Sequence, residues 1–438
     1  MIKNIRSYIQ LSCLFILACT AGCKKDNGSG HNASVPVTIS DFTPIQGGGG
    51  TEILISGNNY TNDTTQIAVT LNGVPMKVVG VNGSNIMVVV PKKVGSGHIT
   101  VKVGNDSVVS TGIFNYVYTR TVSTLAGSGK AGFANGQGTD AMFDFSGQSW
   151  YRSMGITVDD NLNVFVADPG NHCIRKIDSL GNVTTFCGSP GNSGYADGKG
   201  TAAKFSLPYD LALDAAGNLW SVDPGNWDIR KITPDGTAIT WAWGNQAPWS
   251  VSVDKTTGYV YYSSCDPSGN VYPVTAKSTT GSAVISGLNY PAGIKFDKSG
   301  NLYIVLNGDH VIKKYTAGTW AGNIIAGQQG IAGYVNGAAT AAKFDHPWGL
   351  ALDASGNIFI AGNGTWDGGT YNTDQSIRYI ESGTWKVSTF AGSGTAGYAD
   401  AVGEAAAFSA PTGVAVDKTG TVYVLDKNNN RIRKIVSE

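Results

Sequence analysis

The sequence predicts an all-β protein in which a β-sandwich precedes a six-bladed β-propeller. One strand–turn–strand phrase returns six times within residues 119–438. Short alternating apolar runs are separated by Gly, Asn and Asp, and Gly alone accounts for 59 of the 438 residues. Hydrophobic residues make up 42% of the chain, enough for a buried core. Because a single copy cannot bury its own apolar face, the six copies are expected to stack on one another.

Each copy contains the four strands expected of a propeller blade, A to D. Strand A reads GITVD, LALD, VSVD, IKFD, LALD and VAVD, and strand B follows after a tight turn. The Asp that ends strand A recurs in every copy, which indicates a role in shaping the A–B turn rather than catalysis. The last copy stops after strand C, whereas a lone D-like phrase, TVSTLAG, stands at residues 121–127. We therefore predict that this N-terminal strand completes the last blade and closes the ring, which removes exposed sheet edges.

The B–C region carries a recurring set of polar and Ile positions. The sets are Asp168, Asn171, Ile174 and Arg175; Asp223, Asn226, Ile229 and Arg230; and Asp426, Asn430, Arg431 and Ile432. This pattern resembles NHL repeats, and the resemblance implies an NHL-type propeller over residues 119–438.

Residues 35–118 differ in pattern and read as about seven short strands, a density typical of a sandwich. The matching positions are Pro44, the 47–50 Gly turn, Thr51, 53–55, Gly57, Tyr60, Asn72, Gly73, Val90, Pro91 and Phe114. This segment resembles an IPT/TIG domain, an immunoglobulin-like module that usually serves as a spacer or an interaction module.

The N-terminus predicts export. A positive MIKNIR segment and an apolar LSCLFILA run form a signal peptide over residues 1–22. The sequence Thr20-Ala21-Gly22-Cys23 resembles a bacterial lipoprotein signal with Cys23 as the lipidated residue; Cys19 and an ordinary secretory signal are the alternatives. Residues 23–34 read as a flexible tether. We expect an exported protein, held at the outer membrane by its lipid alone and exposed at the surface. This architecture resembles the surface lipoproteins of glycan-using Bacteroidetes.

Two cysteines fall on neighbouring strands of the first blade. Folding the hairpin about residues 178–182 places Cys173 and Cys187 roughly opposite each other. An exported protein could oxidise this pair. A disulfide and two buried thiols are both open interpretations.

Four long, similar connections lead into the first, second, fifth and last copies. Loops of this length are either functional or packed on their own side chains. The Phe and Tyr residues within them favour a structural insert that packs on the next blade. Because the third and fourth copies lack the insert, the loop face is expected to protrude less at these two blades, which would suit a cleft.

Candidate ligand-binding residues come from positions at which the six aligned copies differ; each set of equivalent positions is called a column. The first position of strand A gives Tyr209, Trp249 and Trp348, and the next position gives Asp210 in place of Gly. Aromatic faces beside a few polar groups suit sugars or apolar ligands. The alternative is that these rings fill the central channel. The B–C loops add His172, Trp227, His310 and Trp366.

These residues predict a non-catalytic binding module for a glycan or a protein at the propeller mouth. A metal-dependent hydrolase or lyase and a protein-interaction scaffold are the alternatives. Catalytic residues and a cofactor are not predicted. A metal site is not predicted either, because His172 and His310 belong to opposite blades and cannot easily converge. Lys plus Arg and Asp plus Glu are equal at 31 each, which gives no support for a nucleic-acid partner.

Overall fold

The computed structural model describes residues 30–146, 153–362 and 374–438. The predicted signal peptide, Cys23 and Trp366 lie outside these ranges. The chain divides into two compact units, one up to Tyr118 and one from Thr119 to Ser437. Both units are built from strands, and their helical segments are short 3₁₀ turns. No helix in the described ranges is long and apolar enough to span a membrane.

The first unit is one eight-stranded sheet that wraps around a core of its own. Its strands are β1 (Thr38–Thr43), β2 (Gln46–Gly47), β3 (Glu52–Asn58), β4 (Ile67–Leu71), β5 (Val74–Asn82), β6 (Asn85–Val89), β7 (Gly97–Val103) and β8 (Asp106–Tyr116). They are ordered β1-β3-β6-β5-β4-β7-β8-β2. Alternate residues such as Ile53 and Ile55 point inward and are fully buried, as expected of half-buried strands.

The second unit is a ring of six sheets, which confirms the predicted propeller. It begins with β9 (Arg120–Ala126). Blade 1 follows with β10 (Gly136–Gln137), β11 (Ile156–Val158), β12 (Val164–Asp168), β13 (Cys173–Ile177) and β14 (Asn182–Gly188). Blade 2 has β15 (Gly198–Lys199), β16 (Asp210–Leu213), β17 (Leu219–Asp223), β18 (Asp228–Ile232) and β19 (Thr237–Trp243). Blade 3 has β20 (Ser250–Val253), β21 (Val260–Ser263), β22 (Gly269–Ala276), β23 (Thr279–Thr280) and β24 (Ile285–Leu288).

Blades 4 to 6 repeat the same antiparallel order. Blade 4 has β25 (Pro291–Phe296), β26 (Leu302–Leu306), β27 (Val311–Tyr315) and β28 (Gly322–Ala326). Blade 5 has β29 (Gly337–Ala338), β30 (Pro347–Leu352), β31 (Ile358–Gly362), β32 (Gln375–Ile380) and β33 (Lys386–Gly394). Blade 6 has β34 (Pro411–Val416), β35 (Val422–Asp426) and β36 (Arg431–Ser437), and β9 supplies its fourth strand.

Ring closure by the N-terminal strand is confirmed. Strand β36 pairs antiparallel with β9 from Ile432 opposite Ala126 to Ser437 opposite Arg120. The first and last strands of the propeller therefore share one blade, and its edge is covered.

The recurring Asp of strand A shapes the A–B turn, as predicted. In blade 1, Asp159 Oδ1 accepts the backbone N–H groups of Asn161 and Asn163 at 2.9 and 2.8 Å. Its Oδ2 accepts the Asn163 side-chain amide at 2.8 Å. The same pattern returns at Asp353, whose Oδ1 accepts two backbone N–H groups. These carboxylates satisfy turn donors and are not free to act on a ligand.

Candidate functional site

The aromatic residues predicted for the propeller mouth are buried and fill the channel. Tyr209, Trp249 and Trp348 are 1%, 8% and 0% exposed. The Trp249 ring centroid lies 5.5 Å from that of Tyr209 and 6.4 Å from that of Trp348. The prediction of an exposed stacking surface at these residues is therefore wrong, and its alternative, a plugged channel, is what the structure has.

The close approach of the six A strands explains the plug. At Gly349, an added Cβ would lie 2.4 Å from the carbonyl oxygen of Thr412 in the next blade, and at Gly413 it would lie 2.5 Å from that of Met154. At these two positions neighbouring A strands pass in backbone contact, and only Gly fits there. Large rings one position earlier then meet across the channel.

Asp210 also serves the structure rather than a ligand. Its Oδ2 accepts the Ser250 hydroxyl at 2.7 Å and the Val251 N–H at 3.0 Å. Lys295 Nζ lies 3.6 Å from the same oxygen. The carboxylate therefore links blades 2, 3 and 4 at the axis; at the same position blade 3 has Ser250 and the remaining blades have Gly.

The B–C loop candidates share a left-handed backbone conformation. His172, Trp227 and His310 have φ of 57°, 60° and 58°, and Asn430 of blade 6 has 45°. Asn and His tolerate this region better than most residues. His172 Nδ1 bonds the carbonyl oxygen of Ser206, which lies just ahead of the next blade. His172 therefore connects blade 1 to blade 2, a role that comparing the six copies by sequence does not reveal.

Trp227 is the described B–C candidate that stays open to solvent, with 52% of its surface exposed. Its carbonyl oxygen accepts the Gly244 N–H at 2.9 Å, which brings it beside the end of β19. There Trp243 packs against Tyr195, with 5.3 Å between ring centroids and 39° between ring planes. This outer edge of blade 2 remains available for ligand contact.

Each long insert folds over a buried arginine of the following blade. Arg175 donates to the carbonyl oxygens of Met142 and Ala134 at 2.9 and 2.7 Å, and to Asp168 at 2.9 Å. The guanidinium also lies 4.6 Å from the Phe133 ring centroid. Arg230, Arg378 and Arg433 hold the other three inserts in the same way. The interpretation of the inserts as structural is confirmed.

The register assumed for the last repeat needs correction. The asparagine that bonds Asp426 is Asn429, at 2.9 Å, and the arginine is Arg433, at 2.8 Å. Asn430 instead accepts the Phe145 N–H through Oδ1 at 3.3 Å. Adjacent Asn residues and two nearby Arg residues made the sequence register ambiguous.

Cys173 and Cys187 are free, buried thiols. Cys173 lies opposite Gly188, and Cys187 lies opposite Ile174. Because successive side chains of a strand point to opposite faces, this register does not set the two sulfur atoms against each other. Burial raises the pKa of the Cys187 thiol to about 12, which suppresses its thiolate form.

Open space lies at the opposite end of the channel, where the A strands end. A cavity of about 220 Å³ there is lined by mostly apolar residues of the A strands, by Thr157 and Ser252, and by Lys255 and Lys295. It adjoins a groove of about 740 Å³ along the A–B turns of blades 3, 4 and 5. The groove lining includes Lys255, Lys298, Lys314, Tyr303 and Trp385. We call this groove the A–B groove.

A second polar cluster joins blades 4 and 5 on the loop face. One ligand-type atom from each of His310, Asp345 and His346 lies within 4.8 Å of the other two. The His346 N–H donates to His310 Nδ1 at 3.2 Å, and His346 Nδ1 lies 2.7 Å from Asp345 Oδ1. Burial and the neighbouring His346 lower the pKa of His310.

Sequence reasoning missed this pairing because it compared histidines within one loop column. A B–C loop lies beside the end of the D–A connection into the next blade, so the partner of His310 was His346 and not His172. The shared face of these two loop types was the signal that could have revealed it.

Comparisons with known proteins agree with this architecture. Residues 36–119 match the IPT/TIG domain family, and residues 408–435 match the NHL repeat. The chain is 26% identical over 326 residues to Protein SUPPRESSOR OF QUENCHING 1, chloroplastic, from Arabidopsis thaliana. That match covers 71% of this chain and 27% of the relative, so the chain spans about a quarter of that protein's length.

Two solved Bacteroides structures resemble nearly the whole chain. A protein of unknown function from Bacteroides thetaiotaomicron has a TM-score of 0.63 at 19% identity, covering 94% of this chain and 100% of its own. An auxiliary nutrient binding protein from Bacteroides ovatus has a TM-score of 0.56 at 22% identity, with the same coverage. At these identities the likeness shows the fold.

Proposed function

We propose that this protein is an exported, lipid-anchored binding protein that takes a saccharide bearing carboxylate or sulfate groups in the A–B groove. The groove's volume of about 740 Å³ is the observation that carries the proposal. This size falls within the range of about 300–1,000 Å³ usual for ligand sites. The Bacteroides ovatus structure of the same fold is described as an auxiliary nutrient binding protein, which supports a binding role.

The side chains lining the groove suit a sugar with negative charge. Lys314 Nζ lies 5.3 Å from the Tyr303 ring centroid and 5.9 Å from that of Trp385. A cation beside a ring can bind an anionic group, and the partly buried Trp385 ring can cover an apolar sugar face. Tyr303 is only 3% exposed and supports the wall of the groove from within. Lys255 and Lys298 extend the positive charge along the same wall.

The acidic residues of the groove are already engaged. Asp297 Oδ1 accepts the N–H groups of Ser299 and Asn301 at 2.9 Å, and its Oδ2 accepts the Asn301 side-chain amide at 2.8 Å. Asp353 holds its own turn in the same manner. The lysines, which form no ion pair with a described residue, are therefore the charged groups left for a ligand.

The test is a glycan array of neutral and acidic saccharides, probed with the purified protein and two lysine variants. We expect acidic glycans to bind the wild type, and the Lys255→Ser/Lys298→Ser double variant to bind at least tenfold more weakly. Lys418→Ser is the matched control, because Lys418 follows the turn Asp of blade 6 just as Lys255 and Lys298 do in blades 3 and 4, but lies outside the groove lining.

If the double variant and the wild type bind acidic glycans equally well, the A–B groove is ruled out as the binding site. A wild type that binds no acidic glycan would contradict the ligand class. Recovery of the bound glycan unchanged in mass is expected of a non-catalytic protein, whereas shortened or unsaturated products would favour the hydrolase or lyase alternative.

A further inference from the structure

The junction between blades 4 and 5 brings three metal-ligand side chains together. His310 lies in the loop between β26 and β27, whereas Asp345 and His346 end the insert just before β30. One ligand-type atom of each residue lies within 4.8 Å of the others. The two imidazole rings stand nearly perpendicular, at 87°, with centroids 4.4 Å apart.

The fold by itself does not require these three groups together. A blade junction needs a side-chain acceptor for one backbone N–H, and Asn430 provides it for Phe145 at the junction of blades 6 and 1. His310 does the same for His346 at 3.2 Å. At the junction of blades 1 and 2, Ser206 and Leu207 stand where Asp345 and His346 stand here. At the junction of blades 6 and 1, Asp144 and Phe145 hold these positions, so the carboxylate recurs there without an imidazole beside it. The combination of a carboxylate with two imidazoles is found only at the junction of blades 4 and 5 among the described junctions.

The environment fixes Asp345 and His346 in place. Asp345 is buried, and its Oδ1 lies 2.7 Å from Nδ1 of His346. The His346 side chain is 24% exposed, so the cluster is open to solvent on one side. Two ligands come from one insert and the third from a neighbouring blade, so their backbones are held by separate rigid sheets.

We propose that His310, Asp345 and His346 bind one divalent transition-metal ion, with Zn²⁺ the best match. Two imidazole nitrogens and one carboxylate oxygen form a donor set that suits zinc, whereas Ca²⁺ and Mg²⁺ prefer oxygen alone. Three protein ligands leave a fourth position for water on the exposed side of His346. The ion would also link blade 4, which lacks an insert, to blade 5.

Binding changes the hydrogen bonds of the metal-free cluster in a defined way. A neutral imidazole has one lone pair, so His310 binds through Nδ1 in exchange for the 3.2 Å N–H contact from His346. The ion takes the place of the proton between His346 Nδ1 and Asp345, and that proton moves to Nε2 of the same ring. Ligands about 2.1 Å from a tetrahedral ion lie roughly 3.4 Å apart. The 2.7 Å pair of Asp345 and His346 therefore opens by about 0.7 Å, and the more distant atoms, up to 4.8 Å apart, move closer by side-chain rotation.

The experiment measures stoichiometry and coordination in the purified full chain. After dialysis against Zn²⁺, we expect one ion per chain by elemental analysis, and Co²⁺ substitution should give the intense visible absorption of a tetrahedral site. His346→Ala and Asp345→Asn should each bind Zn²⁺ at least about tenfold more weakly. Because His346 is partly exposed, its Ala variant should keep the wild-type circular dichroism.

Two matched variants control for other histidines. His172→Ala removes the same loop position of blade 1, and His31→Ala removes an imidazole that lies 2.7 Å from Asp106 in the first unit. Both should retain one tight Zn²⁺ site. The proposal fails if the wild type binds no stoichiometric ion, if His346→Ala binds as well as wild type, or if either control loses the site.

Discussion

Blades 1, 2, 5 and 6 differ from blades 3 and 4 in one paired feature. The first group has a long insert before the blade and an arginine in strand C beneath it. At the same strand-C position, paired with the third residue of strand B, blade 3 has Tyr272 and blade 4 has Lys313. Insert and arginine are therefore present together or absent together.

Hydrogen bonding explains why the insert and the arginine occur together. A buried guanidinium needs acceptors for its N–H groups, because an unpaired buried charge costs several kcal/mol. Each insert supplies two backbone carbonyl oxygens, such as those of Ala399 and Ala407 for Arg433 at 2.8 and 3.0 Å. Without an insert, the position takes a tyrosine that bonds Gln246 or a partly exposed lysine. Blade 4, which has no insert, borders both proposed sites.

The largest expected effect comes from removing a buried arginine. Arg175→Ala leaves the fully buried Asp168 without its charge partner and two insert carbonyls without their donor. We expect a loss of about 3–5 kcal/mol in unfolding free energy. Lys313→Ala, at the equivalent position of blade 4, should cost less than about 1 kcal/mol. Urea unfolding of both variants measures the difference, and similar losses would contradict the pairing of arginine with insert.

Blade 2 has, besides the buried Asp223, a second buried aspartate, Asp228, close to its arginine. Both carboxylate oxygens of Asp228 lack a hydrogen-bond partner among the described residues, and Arg230 Nε is 3.7 Å away. Burial, with the nearby Asp223, raises the pKa of Asp228 to about 8. The native state therefore keeps a proton that the unfolded chain releases near pH 4. Stability is lost as pH rises from about 4 to 8, by at most about 1.4 kcal/mol per pH unit.

Asp228→Asn should abolish this pH dependence. We expect the variant to gain stability over wild type at pH 9 and to lose most of that advantage at pH 5, as measured by urea unfolding at both pH values. Asp223→Asn is the control. Because Asp223 accepts the backbone N–H groups of Ser206 and Leu207, this variant should be less stable than the wild type. Parallel pH profiles of wild type and Asp228→Asn would contradict the raised pKa.

The fold was largely predictable because the repeat encodes it locally. Strand alternation, the turn Asp and the lone strand at residues 121–127 each depend on neighbours in sequence, and they gave the blades and the closure of the ring. The site was not predictable in the same way. Whether Trp249 meets solvent depends on its distance from Trp348, two blades away, and so on the width of the channel.

The two proposed sites illustrate the same limit. The A–B groove is formed by turns whose residues look alike in all blades, so its presence near Lys255 and Lys298 follows from blade spacing and not from composition. The His310 cluster depends on contact between successive blades. Sequence columns compare equivalent residues, whereas these sites join non-equivalent ones.

The smallest expected effect concerns the aromatic ring that covers each arginine. Tyr398 lies 3.9 Å from Arg431 and 4.8 Å from Arg433, measured from guanidinium carbon to ring centroid, whereas Phe133 covers Arg175 alone at 4.6 Å. Both rings are close to half exposed, so each cation–π contact is worth about 0.5–1 kcal/mol. We expect Tyr398→Leu to cost roughly twice as much as Phe133→Leu in urea unfolding. Tyr398→Phe separates the ring from its hydroxyl, which lies 3.0 Å from Thr124 Oγ1. If Tyr398→Phe loses as much stability as Tyr398→Leu, the hydroxyl and not the ring stabilises the insert of blade 6.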